Sequence, residues 1–361
     1  MTRTAPDRAS SRRLQRRLPY GLAMLALAGC TQVPPARVTS DRMDYGQVVA
    51  ESWKRQTLLN VVRLRYADAP MFLDVASIIN SYTAGGNATA QGTLPSGANP
   101  NVLQLGGMAI WSNTPTVTYQ PLLGDRFTRA LLQPIPPASV FQLLQGGWSV
   151  QLVFRTVVGS VNGLRNASLG LDADPGFLEL TEVMTRIQQA GHIGIRVVPR
   201  KDGSGVVAVM RRADPGTPLG KDSRRVRALL GLADDRNEFE VVYGLMPSGP
   251  NEVALLSRSM MEIMLQLGVG IDVPAAHLEQ GRVLPGMQRA ADATGRPLVR
   301  IRSGATQPDD AYAAVSYKDH WYWIDETDVD SKRVFTFLMI LFSLAETGQA
   351  PAAPVVTVPT R

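Results

Sequence analysis

The chain has little with which to build a metal or redox centre. Of its 361 residues one is cysteine and three are histidine. A single thiol excludes any intramolecular disulfide. His192, His277 and His320 stand dozens of residues apart, and none has a second His or a Cys at ligand spacing, so no zinc frame is legible and no cofactor is implied. Long apolar runs are missing too. The stretch Leu18–Leu27 covers only about half of the roughly 30 Å hydrocarbon core as a helix. Val334–Ala345 rises about 18 Å, which also falls short of a bilayer. No fixed-period repeat marks a solenoid or a propeller.

What is present is enough for a globular body. With 45% apolar and 19% charged residues, the chain can bury one large core or two moderate ones. The formal charge of +6 is misleading as a sum, because it is unevenly placed. Residues 1–29 carry Arg3, Arg8, Arg12, Arg13, Arg16 and Arg17 against Asp7, a balance of +5 that leaves +1 for everything from Cys30 onward. A nearly neutral body gives no electrostatic reason to bind nucleic acid.

The first thirty residues have the three parts of an export signal: a basic start to Arg17, an apolar stretch Leu18–Leu27 interrupted by Pro19, Tyr20 and Gly21, and then small residues. They end in Leu27, Ala28, Gly29, Cys30, which resembles the lipobox of bacterial lipoproteins. That resemblance implies cleavage before Cys30 and a diacylglyceryl thioether on its sulfur, with 1–29 as a signal peptide and 30–43 as the lipidated cysteine and its tether. Ser11, Arg12 and Arg13 raise the twin-arginine route, but Gln15 stands where that motif takes a large apolar residue, so the general secretory route is preferred. Thr31 and Gln32 include no Asp, which by the same resemblance points to the outer membrane, with the body in the periplasm. Several acyl chains hold far more firmly than one, at about 0.8 kcal/mol per buried CH₂.

Along the body, periodicity predicts a helix from Asp44 to Tyr66, with Lys54, Arg55, Arg63 and Arg65 facing outward. Two strand-like stretches follow, Met71–Thr83 and Val102–Leu122, separated by 84–101, a Gly-, Ala-, Asn-, Thr- and Ser-rich run expected to be a flexible loop. A proline-broken helical region spans Asp125–Asn162, and a helix Leu178–Ala190 leads into a hairpin with arms Ile193–Pro199 and Val206–Arg211. Residues 213–223 are expected to be a loop or boundary between an N-terminal region, 44–212, and a C-terminal one, 224–361. The latter is expected to hold a helix at 224–231, a strand Glu238–Leu245, a helix opened by Ser259 with Glu262 at capping-box spacing, and strands Leu298–Arg302, Tyr312–Tyr317 and Trp321–Asp325. The helix Val334–Ala345 comes last and is apolar on every side, as a central core helix is. Helices mixed with antiparallel hairpins give an α+β fold rather than a doubly wound one.

Chemistry-bearing motifs fail in detail. Gly216–Lys221 lacks phosphate-loop spacing and has Asp222 where Ser or Thr is needed. In Gly159–Gly163 the serine stands one place too early for a nucleophile elbow. Met260, Met261 and Met264 read as flexible core filling. Asp325, Glu326, Asp328 and Asp330 lack the glycine and final Glu of a calcium loop and suit the N-terminus of the helix behind them. One cluster puts amphipathic rings on both faces of a strand, Trp321, Tyr322 and Trp323 beside His320 and Tyr317; packing of one face against the following helix is the favoured reading, and contact of the rings with a sugar or a partner protein is the alternative. With no catalytic and no metal-binding set, the sequence favours a non-catalytic envelope protein held by lipid on Cys30 and binding a protein partner or cell-wall polymer. An anchored hydrolase or transferase acting on envelope material is one alternative, and a carrier of small ligands or lipid is another.

Overall fold

The structure, a computed structural model, describes residues 35–92, 103–200, 203–210, 213–283 and 297–345. Cys30 and the export signal lie outside these residues. The chain divides into two compact units, Met1–Ser52 and Trp53–Arg361. In the first, the described backbone is helical from Pro35, and residues 43–52 are exposed or half-buried. This helix, α1 (Pro35–Arg65), starts earlier than the periodicity suggested. Residues 35–43, expected to be tether, are therefore helical, with a proline at the first position, where its missing N–H is harmless.

The second unit is α+β. After α1 come β1 (Leu73–Gly92) and β2 (Leu103–Pro121), then a short α2 (Gly124–Phe127) that passes into a π-helical turn at Thr128–Leu132. Next are α3 (Pro137–Gln145), α4 (Val150–Val157), β3 (Val158–Val161), β4 (Leu164–Arg165) and α5 (Pro175–Gln189). The hairpin β5 (Ile193–Arg200) and β6 (Gly203–Met210) follows, then α6 (Pro218–Leu230), β7 (Glu238–Tyr243), β8 (Glu252–Ser257), α7 (Met260–Gly268) and α8 (Ala275–Glu279). The last elements are β9 (Arg302–Gly304), β10 (Ala311–Tyr317), β11 (His320–Asp325) and α9 (Val329–Ala345).

Six strands form the main sheet in the order β4-β3-β8-β7-β6-β5. All neighbours are antiparallel except β7 and β8. The sheet joins strands from both sides of 213–223, so that stretch is no domain boundary. Its second half opens α6, where the Thr217 hydroxyl accepts from the Gly220 amide at 3.1 Å and Gly231 closes the helix at φ 63°. β8 is the innermost of these strands, with Val253, Ala254 and Leu255 all buried. Burial on both faces is what a short continuous apolar run in a parallel pair reflects.

β11 is the middle strand of a separate sheet, β10-β11-β9. α9 supplies the core beneath: Phe335, Phe337, Leu338, Leu341 and Phe342 are buried, as a central core helix requires. Its rings reach Tyr312, Trp148 and Phe72 at centroid separations of 6.1, 4.8 and 5.5 Å. Asp328 caps this helix, accepting from the Ser331 amide at 3.1 Å, while Asp325 holds Thr327 and pairs with Arg302. The acids at 325–330 thus do capping and pairing work, and among the described residues no group of three His, Cys, Asp or Glu side chains could hold a metal ion. The capping box at Ser259 and Glu262 is formed in full.

β1 and β2 make a two-stranded ribbon of 20 and 19 residues that pairs with no other strand among the described residues. Residues 84–92, expected to belong to a flexible loop 84–101, are strand; 93–102 lie outside the described residues. Side-chain amides on α1 fix the root of this ribbon. Asn60 accepts from the Met71 amide at 2.9 Å and donates to its carbonyl at 2.8 Å, and Gln56 does the same to Leu73 at 2.9 and 3.2 Å. Phe72 and Leu122 enter the core, joined by the Leu122 amide to the Phe72 carbonyl at 3.0 Å. Arg126 pairs with Asp74 at 2.8 Å.

Gly270 shows how closely backbones approach behind α7: a Cβ there would sit 1.8 Å from the Val299 carbonyl oxygen. Gly270→Ala is expected to lose more stability in urea titration than Leu171→Ala, made at a surface leucine exposed by 68%. Phe337→Ala, which opens a cavity beside Trp148, is expected to lose about 3–5 kcal/mol. Equal midpoints for Gly270→Ala and Leu171→Ala would contradict this packing.

Candidate functional site

Two places gather chemistry. The first is a cleft of about 650 Å³ between the end of the π-helical turn, β3 and the β8–α7 junction, lined among others by Ser160, Tyr243, Arg258, Ser259, Met261 and Glu262. Arg258 is its one buried cation. Its guanidinium donates to the Arg155 and Thr156 carbonyls at 3.0 and 3.2 Å and to that of Ala167. Asn166 takes the neighbouring carbonyls of Phe154, Arg155 and Val158 at 3.1, 3.2 and 2.7 Å. Together they satisfy the C-terminal carbonyls of α4, the end of a helix dipole that favours a positive charge. Burial lowers the Arg258 pKa to about 10, with Glu262 opposing the shift, so the group stays charged at neutral pH.

Glu262 and Ser257 of the cleft are likewise engaged in folding. Glu262 accepts from the Ser259 amide at 2.7 Å, and the Ser257 hydroxyl donates to the Ile135 carbonyl. Ser160 is different, since its buried hydroxyl has no partner. It lies within β3, not at a strand-to-helix elbow, and no histidine lines the cleft to take its proton.

The second place was invisible in the sequence. Tyr66, at the end of α1, stands between two buried partners from the far end of the chain. Its hydroxyl lies 2.6 Å from Nδ1 of His277 and 2.5 Å from the hydroxyl of Tyr322. His277 comes from α8, and its ring meets that of His320 at 4.7 Å. The β10–β11 turn closes over the group. Lys318 and Asp319 both have positive φ, 47° and 64°, as a two-residue type I′ turn requires, yet neither is the Gly or Asn such turns prefer. Lys318 crosses back to Asp68 at 2.9 Å, and the Tyr317 hydroxyl donates to the same carboxylate.

The electrostatics keep the buried groups neutral. Burial raises the Tyr66 pKa and raises that of Tyr322 further, the latter helped by its bond to Tyr66. Tyr317 is pushed up to about 12 by burial and by Asp68, whose own carboxyl is held low by Tyr317 and Lys318. His277 is pushed down by burial first and by His320 second, with Arg282 and Lys318 adding and Asp319 opposing. A relay of neutral hydrogen bonds, Tyr322 to Tyr66 to His277, therefore ties α1, α8 and β11 together. Its members are separated by 211 and 256 residues, so no spacing rule finds them.

The cluster Trp321, Tyr322 and Trp323 is split by the strand. Tyr322 is completely buried, so it is removed from any recognition surface and belongs to this relay. Alternation along β11 puts Trp321 and Trp323 on the other face, where both are half-buried. Trp323 lies over β9, its ring 3.2 Å from where a Cβ of Gly304 would be, so a larger residue there would press on the indole. Arg65, expected to face outward, is buried. No family model, no curated protein and no solved structure matches this chain.

The direction of the His277 shift sets a pH dependence. Its folded pKa lies below the ordinary 6.5, so below that pH the unfolded chain binds more protons than the folded one. The stabilisation is complete above about pH 6.5 and is lost as pH falls through the folded value. Melting temperature is expected to drop between pH 7.5 and 5, and to drop less steeply in His277→Asn, measured by circular dichroism in matched buffers. An unchanged slope in the variant would show that His277 is not the responsible group.

Proposed function

We propose that this chain is an envelope lipoprotein that acts by association rather than by catalysis, held at the outer membrane through lipid on Cys30. Anchoring is supported by the sequence Leu27, Ala28, Gly29, Cys30 behind a basic and then apolar leader. Among the described residues no helix is long and apolar enough to cross a membrane, so lipid is the attachment that the leader points to.

The observation that carries association over catalysis is the state of the cleft. Arg258, Asn166, Ser257, Ser259 and Glu262 all spend their hydrogen bonds on the backbone. Removing any of them to serve a substrate would leave buried carbonyls or amides without partners, at roughly 1–3 kcal/mol each. These residues read as scaffold. Meanwhile apolar side chains stand exposed in both rows of the ribbon, Met108 by 65% and Ile110 by 59% in one and Val117 by 37% in the other. Exposed apolar surface on a sheet with open edges is a place where something else binds.

Mass spectrometry of the protein from its host membrane is expected to find a diacylglyceryl modification on Cys30 and no residues before it. Cys30→Ser is expected to abolish metabolic labelling of the protein with radioactive palmitate and to leave the leader uncut. A wild-type protein with an unmodified residue 30 would overturn the anchored reading.

A further inference from the structure

From Val75 to Gly124 the sequence holds fifty consecutive residues without Asp, Glu, Lys, Arg or His, in a chain that is 19% charged. This stretch covers nearly all of β1 and the whole of β2, with the ten residues between them in the sequence. A two-stranded ribbon in water is marginally stable by itself, and soluble proteins defend its open edges with charges, above all lysine. Here that defence is missing while the strands are more than twice the usual length, about 60 Å at roughly 3.3 Å per residue.

The backbone register adds a pattern. Pairing is continuous from Ser77 opposite Thr118 to Gly92 opposite Leu103, after one irregularity near Val75. Cross-strand partners share a face and neighbours alternate. In the distal part, Ser81–Gly92 with Leu103–Thr114, one row of register positions reads Tyr82, Ala84, Gly86, Ala88, Ala90 and Gly92 opposite Asn113, Trp111, Ala109, Gly107, Leu105 and Leu103, apolar or glycine throughout except Asn113. The alternate row reads Ser81, Thr83 and Gln91 opposite Thr114, Ser112 and Gln104, interrupted by Met108 and Ile110. The prolines of β2, Pro115 and Pro121, both fall in the part nearer the root. Twelve residue pairs free of proline and charge exceed the 9–11 residues that cross a bilayer as a tilted strand.

These features point to one occupant for the exposed faces and edges. We propose that the distal β1–β2 ribbon inserts into a lipid bilayer and closes into a β-barrel with the ribbons of other copies of this chain. The row Ala84, Ala88, Ala90, Leu105 meets acyl chains and the hydroxyl- and amide-bearing row lines the interior. Open edges are not tolerated in hydrocarbon, so insertion demands closure, and each copy supplies two strands. Eight strands, the smallest barrel of this kind, take at least about four copies. The proposal deepens the association reading by naming the partner, and it holds with or without lipid on Cys30.

The test uses the full chain recovered from its host membrane and vesicles of phosphatidylethanolamine and phosphatidylglycerol loaded with calcein. Environment-sensitive labels are placed at Ala84→Cys and Ala109→Cys in one row and at Thr83→Cys and Ser112→Cys in the other. Labels at 84 and 109 are expected to shift to the blue and be quenched by lipid-borne nitroxides, while those at 83 and 112 stay accessible to aqueous iodide. Crosslinking is expected to give tetramers or larger, and the unlabelled chain to release calcein. Ala84→Arg is expected to cut release at least tenfold and Thr83→Arg less than twofold, with both variants keeping the parental circular dichroism spectrum. Labels that stay in water in both rows, a monomer in the vesicle fraction, or equal release by the two arginine variants would overturn the proposal. The same labels in a Cys30→Ser background are expected to alternate in the same way, so failure of the anchor and failure of the ribbon give different results.

Discussion

Backbone amides and carbonyls that leave water must find partners, and in this chain side-chain amides and the guanidiniums of Arg224, Arg227 and Arg258 supply them at several places where elements change direction. Gln56 and Asn60 each bind a residue of the β1 root through both its N–H and its C=O. Lying one helical turn apart on α1, they hold residues 71 and 73 much as a neighbouring strand would. Asn162, itself at φ 46°, donates to the Leu230 carbonyl at 2.7 Å and accepts from the Ala254 amide at 2.7 Å, which fastens the β3–β4 turn to β8 and to the end of α6. Gln188 does the same between α5 and the start of α4, accepting from the Val150 amide and donating to the Trp148 carbonyl, both at 2.9 Å. Each replaces a ladder contact that the sheet cannot extend to that point. Losing one member of such a clasp exposes two backbone groups at once, so these polar residues are as structural as the leucines around them.

The same accounting applies to the two polar clusters. Arg258 has the burial and charge of a functional group, but its donors close the C-terminus of α4. His277 has a lowered pKa, yet it faces Tyr66 and His320 in a closed arrangement that joins distant segments. A perturbed titration in a cleft suggests function only when the group has spare bonding capacity. Both strands of the β1–β2 ribbon are edge strands, so each has one side without a neighbouring strand among the described residues.

Local signals were legible where the physics is local. The capping box at Ser259, the hairpin around 193–211 and the acids ahead of α9 are each decided within a few residues, and each forms. The core role of α9 followed from its apolar residues on all sides. β8 was missed because a short apolar run beside a parallel neighbour has no alternation to show, and β3 because it continues the apolar pattern of α4 without a break. Residues 84–92 were read as loop because Gly, Ala, Asn and Thr have little to bury in a water-soluble core. Their strand character rests on pairing with β2. The Tyr66–His277–Tyr322 relay had no signal at all, since its parts meet only after the whole of the second unit has folded. Burial of Tyr322 is also why the ring cluster at 321–323 could not act as one surface: alternation gave the tyrosine to the core and the two indoles to the opposite face.

The central claim is that the ribbon edges, open in water, become paired in a membrane. Amide hydrogen exchange reads this directly, residue by residue, because in an isolated antiparallel pair every second N–H points outward without a partner. In vesicles, the outward amides between Ser81 and Thr114 are expected to become as protected as the inward ones, with the root at Met71 and Leu73 protected in both settings. Outward amides that exchange as fast in vesicles as in water would contradict the claim.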